Sequence, residues 1–580
     1  MKTVNITING MPLTVPNTYT ILEAAREAGF NIPTLCYLKE MNEIGACRIC
    51  VVEVKGARSL VASCVYPVAE GMEIYTNSKR VQDSRRMTLE LILSNHQRKC
   101  LSCSRSGHCE LQNLCREYGV EDEGRYDGAV TQTVKDESTA YLVRDNSKCV
   151  LCRRCVAACQ AQEVAVIGAN ARGFDTSIGC AFERPLNNTP CIGCGQCIVN
   201  CPTGALQERD NTAKVWEALG DPNKHVVVQT APAVRAALGE SFGLPIGTNV
   251  EGKMVAALRR LGFDKVFDTN FGADLTIMEE ANEFVERFTK GGVLPMITSC
   301  SPGWVKYCEH YYPEFIPNLS TCKSPQQMTG AMIKTWYAKK NNLNPEDIVV
   351  VSIMPCTAKK FEIGREDESA SGYPDVDVAL TTRELARMIE RAHIQFTSLK
   401  DEAFDQIMGE FTGAAVIFGA TGGVMEAALR TAADWVTGQD LQEVEYQEVR
   451  GTEGVKVATY KIGDATVKVG VASGTGNAKK LLERVKAGEK FDFIEIMGCP
   501  GGCVNGGGQP LQPASVRNFE DLKGMRAKAL YEEDKNLPLR KSHQSPLMKL
   551  VYEEYLEKPG SHIAHETLHT SYVKRGKEVR

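Results

Sequence analysis

Hydrophobic and polar positions fall into two regimes along the chain. Beyond residue 210, short apolar runs recur, each closed by Gly or Pro and followed by a helical stretch: residues 225–229, 413–419 and 468–472 are of this kind. Three more runs, 293–297, 348–355 and 491–497, lead into Cys300, Cys356, and Cys499 with Cys503. Short β-branched runs bounded this way predict buried strands of a parallel sheet. Ligands of open α/β sheets sit beyond the carboxyl ends of the strands. The pattern therefore predicts that several strand ends deliver cysteines to one place. Residues 474–477 lack the full glycine frame of a nucleotide loop and predict a plain strand–helix turn.

Before residue 211 apolar periodicity is weaker. Residues 4–8 and 12–15 alternate as strands, residues 20–29 predict a short helix ended by Gly29, and residues 81–93 predict a longer helix. The expected fold class is multidomain α+β / α/β, with boundaries at 1–78, 79–138, 139–210 and 211–580. The stretch from Lys535 onward is polar and basic-leaning and is expected to wrap a neighbouring surface.

Composition narrows the function. Net charge is −5 over 580 residues, so no basic field points to nucleic acid. No apolar stretch approaches the ~20 residues needed to span a membrane, and the first residues alternate like a strand with no signal-peptide core. Of 23 cysteines, 17 precede residue 202, many at C-x2-C spacing. That usage argues for metal ligation in a reducing compartment, hence the cytoplasm.

Cys36, Cys47, Cys50 and Cys64 suit a [2Fe–2S] cluster in a small β-rich, β-grasp ferredoxin-like module, with a zinc site as the alternative. His96, Cys100, Cys103 and Cys109 make a four-ligand set for a [4Fe–4S] cluster or a Cys3His zinc site, with His108 as a competing ligand. Cys115 is expected to pack as a small hydrophobe. Cys149, Cys152, Cys155 and Cys159, followed by Cys191, Cys194, Cys197 and Cys201, repeat the two-cluster ferredoxin pattern, in which the fourth Cys of each run serves the other cluster. Cys149, Cys152, Cys155 and Cys201 are thus expected to hold one [4Fe–4S] cluster, and Cys191, Cys194, Cys197 and Cys159 the second. Gln160 stands where the first run usually has Pro. Cys180, Cys308 and Cys322 are expected not to be ligands. The glycines around Cys499 and Cys503 predict backbone pressed against something bulky. Glu279, Glu280 and Glu283 are spaced to share a helix face and to relay protons, or simply to form a solvated acidic face.

Residues 298–304 (Thr-Ser-Cys-Ser-Pro-Gly-Trp), 354–362 and 495–503 resemble the three signature motifs of [FeFe] hydrogenases. The N-terminal array is similar to the multi-cluster form of that family and to part of a respiratory complex I subunit. The whole most resembles the catalytic subunit of multi-subunit NAD(P)-linked, often electron-bifurcating, hydrogenases, whose tail residues 560–572 also resemble. The resemblance implies an H-cluster: a cubane joined to a di-iron subcluster with CO, cyanide and a bridging dithiolate. It implies Cys503 as bridging ligand, Cys356 and Cys499 as further cubane ligands, and Lys359 pairing with a cyanide. It also implies Met354, Met497 and Phe418 packing the pocket, with Ala231 and Pro232 supplying backbone. Protons would leave through Cys300, Glu280, Ser320 and Glu283, with Arg287 beyond.

One departure stands out. The family motif has adjacent cysteines, the first a proton relay and the second a cubane ligand; here the pair is Cys300-Ser301. Ligation through the serine oxygen, ligation by Cys300, and an altered fourth ligand are all open. No NAD or flavin site is visible in the chain, so flavin/NAD(P)-binding and small Fe–S partner subunits, and also ferredoxin, are expected around it. The alternatives are a sensory or relay homologue of low turnover, or a complex-I-like relay subunit; the latter leaves the three C-terminal motifs unexplained.

Overall fold

The computed structural model describes residues 2–121, 124–442 and 444–576. The N-terminal part is a five-stranded mixed sheet. Thr3–Ile8 pairs antiparallel with Met11–Pro16 and parallel with Glu73–Tyr75, which in turn pairs with Val51–Val54. Helix Ile21–Glu27 covers the sheet and starts with a capping box between Thr20 and Glu23. Ile6, Ile8, Leu22, Ala25, Val52 and Ile74 form its core. Helix Lys79–Ser94 follows, as expected.

The repeated cysteine runs fold alike. Each run's helix, Arg154–Ala161 or Gln196–Asn200, is preceded by one left-handed residue, Arg153 (φ 60°) or Gly195 (φ 69°). The two helices pack together beside the antiparallel strands Leu142–Asp145 and Leu206–Glu208.

The large C-terminal part holds two four-stranded sheets where the apolar runs suggested one. His225–Thr230 lies between Lys265–Asp268 and Ile348–Met354, all parallel, with Val378–Thr381 outermost. The second sheet runs Met296–Thr298, Phe493–Met497, Ala465–Ser473 and Val455–Ile462, the last as an antiparallel hairpin. Helix Asn270–Lys290 packs against both hydrophobic cores, through Phe271 and Leu275 on one and Ile277 and Ala281 on the other. The strand expected at 413–419 is instead helical: Gly413–Val416, then a 3-10 turn Ile417–Gly419. Its start is tied to Asp274, which accepts from the Thr412 amide and hydroxyl. A fully buried apolar run carries no periodicity to separate strand from helix. Residues 474–477 are the expected turn, with Gly474 at φ 84° before helix Thr475–Lys486. Among the described residues no helix is long and apolar enough to cross a membrane.

The tail wraps the large C-terminal part, as expected, but with helices: Leu547, Met548, Val551 and Leu568 join the core containing Phe271 and Met328.

Candidate active site and electron relay

The carboxyl ends of strands from both sheets face one cavity of about 50 Å³. Its wall includes Ala231, Pro232, Cys300, Met354, Cys356, Lys359, Phe418 and Cys503. Met497 stands just behind, its sulfur 3.9 Å from Cys300 Sγ and 3.7 Å from Ser301 Oγ. Motifs scattered over nearly 300 residues meet here because each strand stops at the cavity and hands its next residues to the wall.

The thiols fit a metal cluster. All 23 cysteines are free. Burial raises the thiols of Cys356, to about 12, and Cys499, while Cys503 is raised first by its hydrogen bond to Cys300 and then by burial. Deprotonated, three such thiols would need a cation beside them in an apolar pocket, and thiolate sulfur suits iron. Cys300 behaves differently. Its thiol is pulled down, first by a hydrogen bond from Cys503, against the upward push of burial and with help from Lys359. Lys359 is itself buried and donates to Ser324 Oγ (2.7 Å) and Glu362 (2.8 Å). Burial works to lower its ammonium, but Glu362 and Cys300 outweigh it and keep the charge. Glu362 is three residues from Lys359 in the same motif, whereas only the fold brings Ser324 beside it.

From Glu280 a chain of polar groups leads outward. The Thr298 hydroxyl lies 2.6 Å from Glu280, and Ser320 also hydrogen-bonds to it. Ser320 Oγ donates to Glu283 (3.0 Å), and Glu283 pairs with Arg287 at 2.5 Å. Arg287 is further held by the carbonyls of Val293, Pro317, Asn318 and Leu319. Burial pushes the Glu280 carboxyl up to about 7. Glu279 does not share this row: it accepts from Tyr552, the Gly560 amide and His569, and so anchors the tail.

The N-terminal cysteines gather in sets. Cys50 and Cys64 have sulfurs 3.3 Å apart. Cys36 is hydrogen-bonded by Cys47, which draws its thiol down to about 6. Cys149, Cys152, Cys155 and Cys201 line one small cavity. Cys191, Cys194, Cys197 and Cys159 are electrostatic neighbours. His96 is half-buried and its Nδ1 is buried with no hydrogen-bond partner among the described residues, whereas His108 is exposed. Cys103 and Cys109 are neighbours; Cys100 is exposed. Cys115 lies within electrostatic reach of Cys100 and Cys109. Buried Cys180 and Cys308 face Arg144 and the Tyr312 carbonyl respectively. Cys322 lies 3.9 Å from Glu283.

The glycine-rich frame presses on both sides: Gly506 and Gly508 meet Pro355 and Cys356 of the cavity wall, and Gly507 meets the second ferredoxin run. A Cβ on Gly507 would lie 2.2 Å from the Cys194 carbonyl oxygen, and one on Gly195 2.5 Å from Thr357 Oγ1. Thr357 Oγ1 donates to the Gly193 carbonyl (2.6 Å), and Gln196 to that of Asn505 (3.0 Å). Cys499 Sγ lies 3.8 Å from the Cys194 carbonyl. A thiol-lined cavity in an α/β domain, joined backbone to backbone to a row of ferredoxin-type sites, defines an iron–sulfur oxidoreductase.

Comparison with known proteins agrees. Residues 224–507 match the family described as iron only hydrogenase large subunit, C-terminal domain, and residues 520–575 the iron hydrogenase small subunit. Residues 1–79 match a 2Fe-2S iron-sulfur cluster binding domain, 85–123 the NADH-ubiquinone oxidoreductase-G iron-sulfur binding region, and 185–207 a 4Fe-4S binding domain. The chain is 50% identical to the NADP-reducing hydrogenase subunit HndD of Solidesulfovibrio fructosivorans, over 99% of this chain and 100% of that protein. It is 44% identical to iron hydrogenase 1 of Clostridium pasteurianum, again over 99% and 100%. The structure of an apo [FeFe]-hydrogenase from Chlamydomonas reinhardtii aligns with 41% identity and TM-score 0.57, over 63% of this chain and 100% of that one. The chain belongs to the iron-only, or [FeFe], hydrogenase family. It is a hydrogenase that interconverts protons and H2, with electrons passing through its N-terminal iron–sulfur domains.

Proposed function

We propose that the chain is the H2-converting subunit of a cytoplasmic, NAD(P)-linked assembly. Partner subunits would bind the nicotinamide and flavin and pass electrons through one [2Fe–2S] and three [4Fe–4S] clusters. The relative described as an NADP-reducing hydrogenase subunit, matched end to end, supports this reading. Ferredoxin as a second carrier, and hence bifurcation, belongs to the same proposal. The four domains would be a β-grasp module (1–78), a His/Cys3 unit (79–138), a two-cluster ferredoxin unit (139–210) and the catalytic part (211–580).

When bound, the di-iron group supplies the centre at which H2 is formed and split. Cys503, Cys356 and Cys499 would hold the cubane, with Ser301 at the fourth position. Lys359, held charged by Glu362, would fix an anionic ligand in the cavity, while Met354, Phe418 and Met497 keep water out and Ala231 and Pro232 shape the wall. We assign Cys300 to proton transfer. The observation that carries this is its position on the cavity wall, with its thiol drawn down and Glu280 within electrostatic reach. Glu280, with a carboxyl near neutrality, would take the proton and pass it by Ser320 to Glu283; Arg287 orients Glu283 and keeps its own proton, since a guanidinium does not give one up. Cys300→Ala in protein matured with its di-iron group tests the assignment. Its H2 evolution should fall by about two orders of magnitude or more while its iron content is unchanged. Loss of cubane iron instead would make Cys300 a ligand.

A further inference from the structure

Three modules meet around Arg154. The residue opens the helix Arg154–Ala161 between Cys152 and Cys155 and is 1% exposed. Its Nη1 donates to Glu110 at 2.8 Å, while its Nε and Nη2 are buried with no hydrogen-bond partner among the described residues. The charge is within electrostatic reach of the Cys152 thiol and of Cys36 in the N-terminal module. Asn42 joins the same two loops: its Nδ2 donates to the Cys36 carbonyl (2.7 Å) and to the Cys152 carbonyl (3.0 Å). Glu110 belongs to the third module, directly after Cys109, and its amide donates to the Pro202 carbonyl next to Cys201. Arg105 of that module donates to the Cys201 carbonyl at 2.9 Å, and its Nε and Nη1 are also buried and unpartnered. Arg517 also faces this junction, and Arg144 and Arg153 line the cavity of Cys149, Cys152, Cys155 and Cys201.

An arginine is always charged, and a buried charge with unpartnered N–H groups is costly unless something anionic lies beside it. Thiolate-ligated iron–sulfur clusters are anionic and become more so on reduction. We propose that Arg154 is the fixed charge that sets the potentials at this junction, with Glu110 attenuating it. One electron leaves the cluster at Cys36, Cys47, Cys50 and Cys64, which is oxidised, and enters the cluster at Cys149, Cys152, Cys155 and Cys201, which is reduced. Arg154 stabilises the reduced form of the acceptor most strongly, because its charge acts more on Cys152 than on Cys36. This rests on the cluster assignment above.

The test is redox titration of the purified full chain, followed by EPR, with iron content measured alongside. Arg154→Met should lower the reduction equilibrium of the cluster at Cys149, Cys152, Cys155 and Cys201 about tenfold, or about 59 mV for one electron. It should lower that of the [2Fe–2S] cluster in the same direction by less. Arg154→Lys should keep the wild-type potentials, and Glu110→Gln should raise them. A merely structural arginine does not give opposite signs for Arg154→Met and Glu110→Gln, nor rescue by lysine. Unchanged midpoints in Arg154→Met with full iron content would overturn the inference alone; wild-type protein without a [4Fe–4S] signal that depends on Cys152 would overturn the cluster assignment beneath it. If Arg154→Met loses iron, Arg154→Lys and Glu110→Gln decide: coincident midpoints in Glu110→Gln and wild type overturn the proposal.

Discussion

Glu280→Gln should make the protein more stable and less active. Glu280 is 3% exposed and its carboxyl rises from 4.5 to about 7, chiefly through burial. Each unit is worth ~1.36 kcal/mol, so the ionised form costs the folded state about 3 kcal/mol relative to the unfolded chain. The folded state holds this proton more tightly than the unfolded one. The carboxyl's contribution is therefore fully present below 4.5 and is lost as pH rises through 7. Glutamine keeps the shape and the bond to Thr298 but never ionises. The stability advantage of Glu280→Gln over wild type should thus grow by about 2 kcal/mol between about pH 5.5 and about pH 8.5, a few degrees in unfolding temperature for a domain of this size. Over the same range its H2 evolution should be lower by about two orders of magnitude or more, as for loss of a positioned proton-transfer group. Anaerobic calorimetry at several pH values and a reduced-dye H2 assay read the two effects. A stability difference that stays flat with pH, or a variant with full turnover, would refute the reasoning.

Ser301→Cys restores the adjacent pair of thiols; iron should leave the cubane more slowly in the presence of a chelator, and equal loss rates would remove Ser301 from the cubane's ligand sphere. His96→Cys adds a negative charge to its cluster, so that midpoint should fall in an EPR titration; an unshifted midpoint would mean His96 is not a ligand. Cys201→Ala should abolish the [4Fe–4S] signal shared with Cys149, Cys152 and Cys155 and spare the one at Cys191, Cys194 and Cys197, and the reverse loss would exclude crossed ligation. Lys359→Met leaves Glu362 buried without its cation, so it should lower thermal stability by about 3 kcal/mol or more as well as activity, measured by calorimetry.

The order of the iron–sulfur domains and the presence of a hydrogenase site were legible in the chain itself. Ligand spacing in ferredoxin runs is short-range: a C-x2-C turn must close on one cluster, so the motif carries its own geometry. Strand ends closed by Gly or Pro likewise marked Cys300, Cys356 and Cys503 as wall residues. Other features depend on partners distant in sequence. Periodicity has no signature for which sheet a buried run joins, so one expected sheet became two, and residues 413–419 became helical once Asp274 took up the Thr412 amide. Glu279 and Glu280 are neighbours, yet adjacent helix positions diverge by about 100°, and only the packed tail decided that Glu279 binds Tyr552 while Glu280 joins Ser320. The glycines around Cys503 announced close approach; that Gly507 meets the Cys194 backbone was settled by docking of the two domains. Arg154 reads as an ordinary spacer between two cysteines. Its buried charge acquires meaning only where Asn42, Glu110 and Cys201 bring three modules to one point.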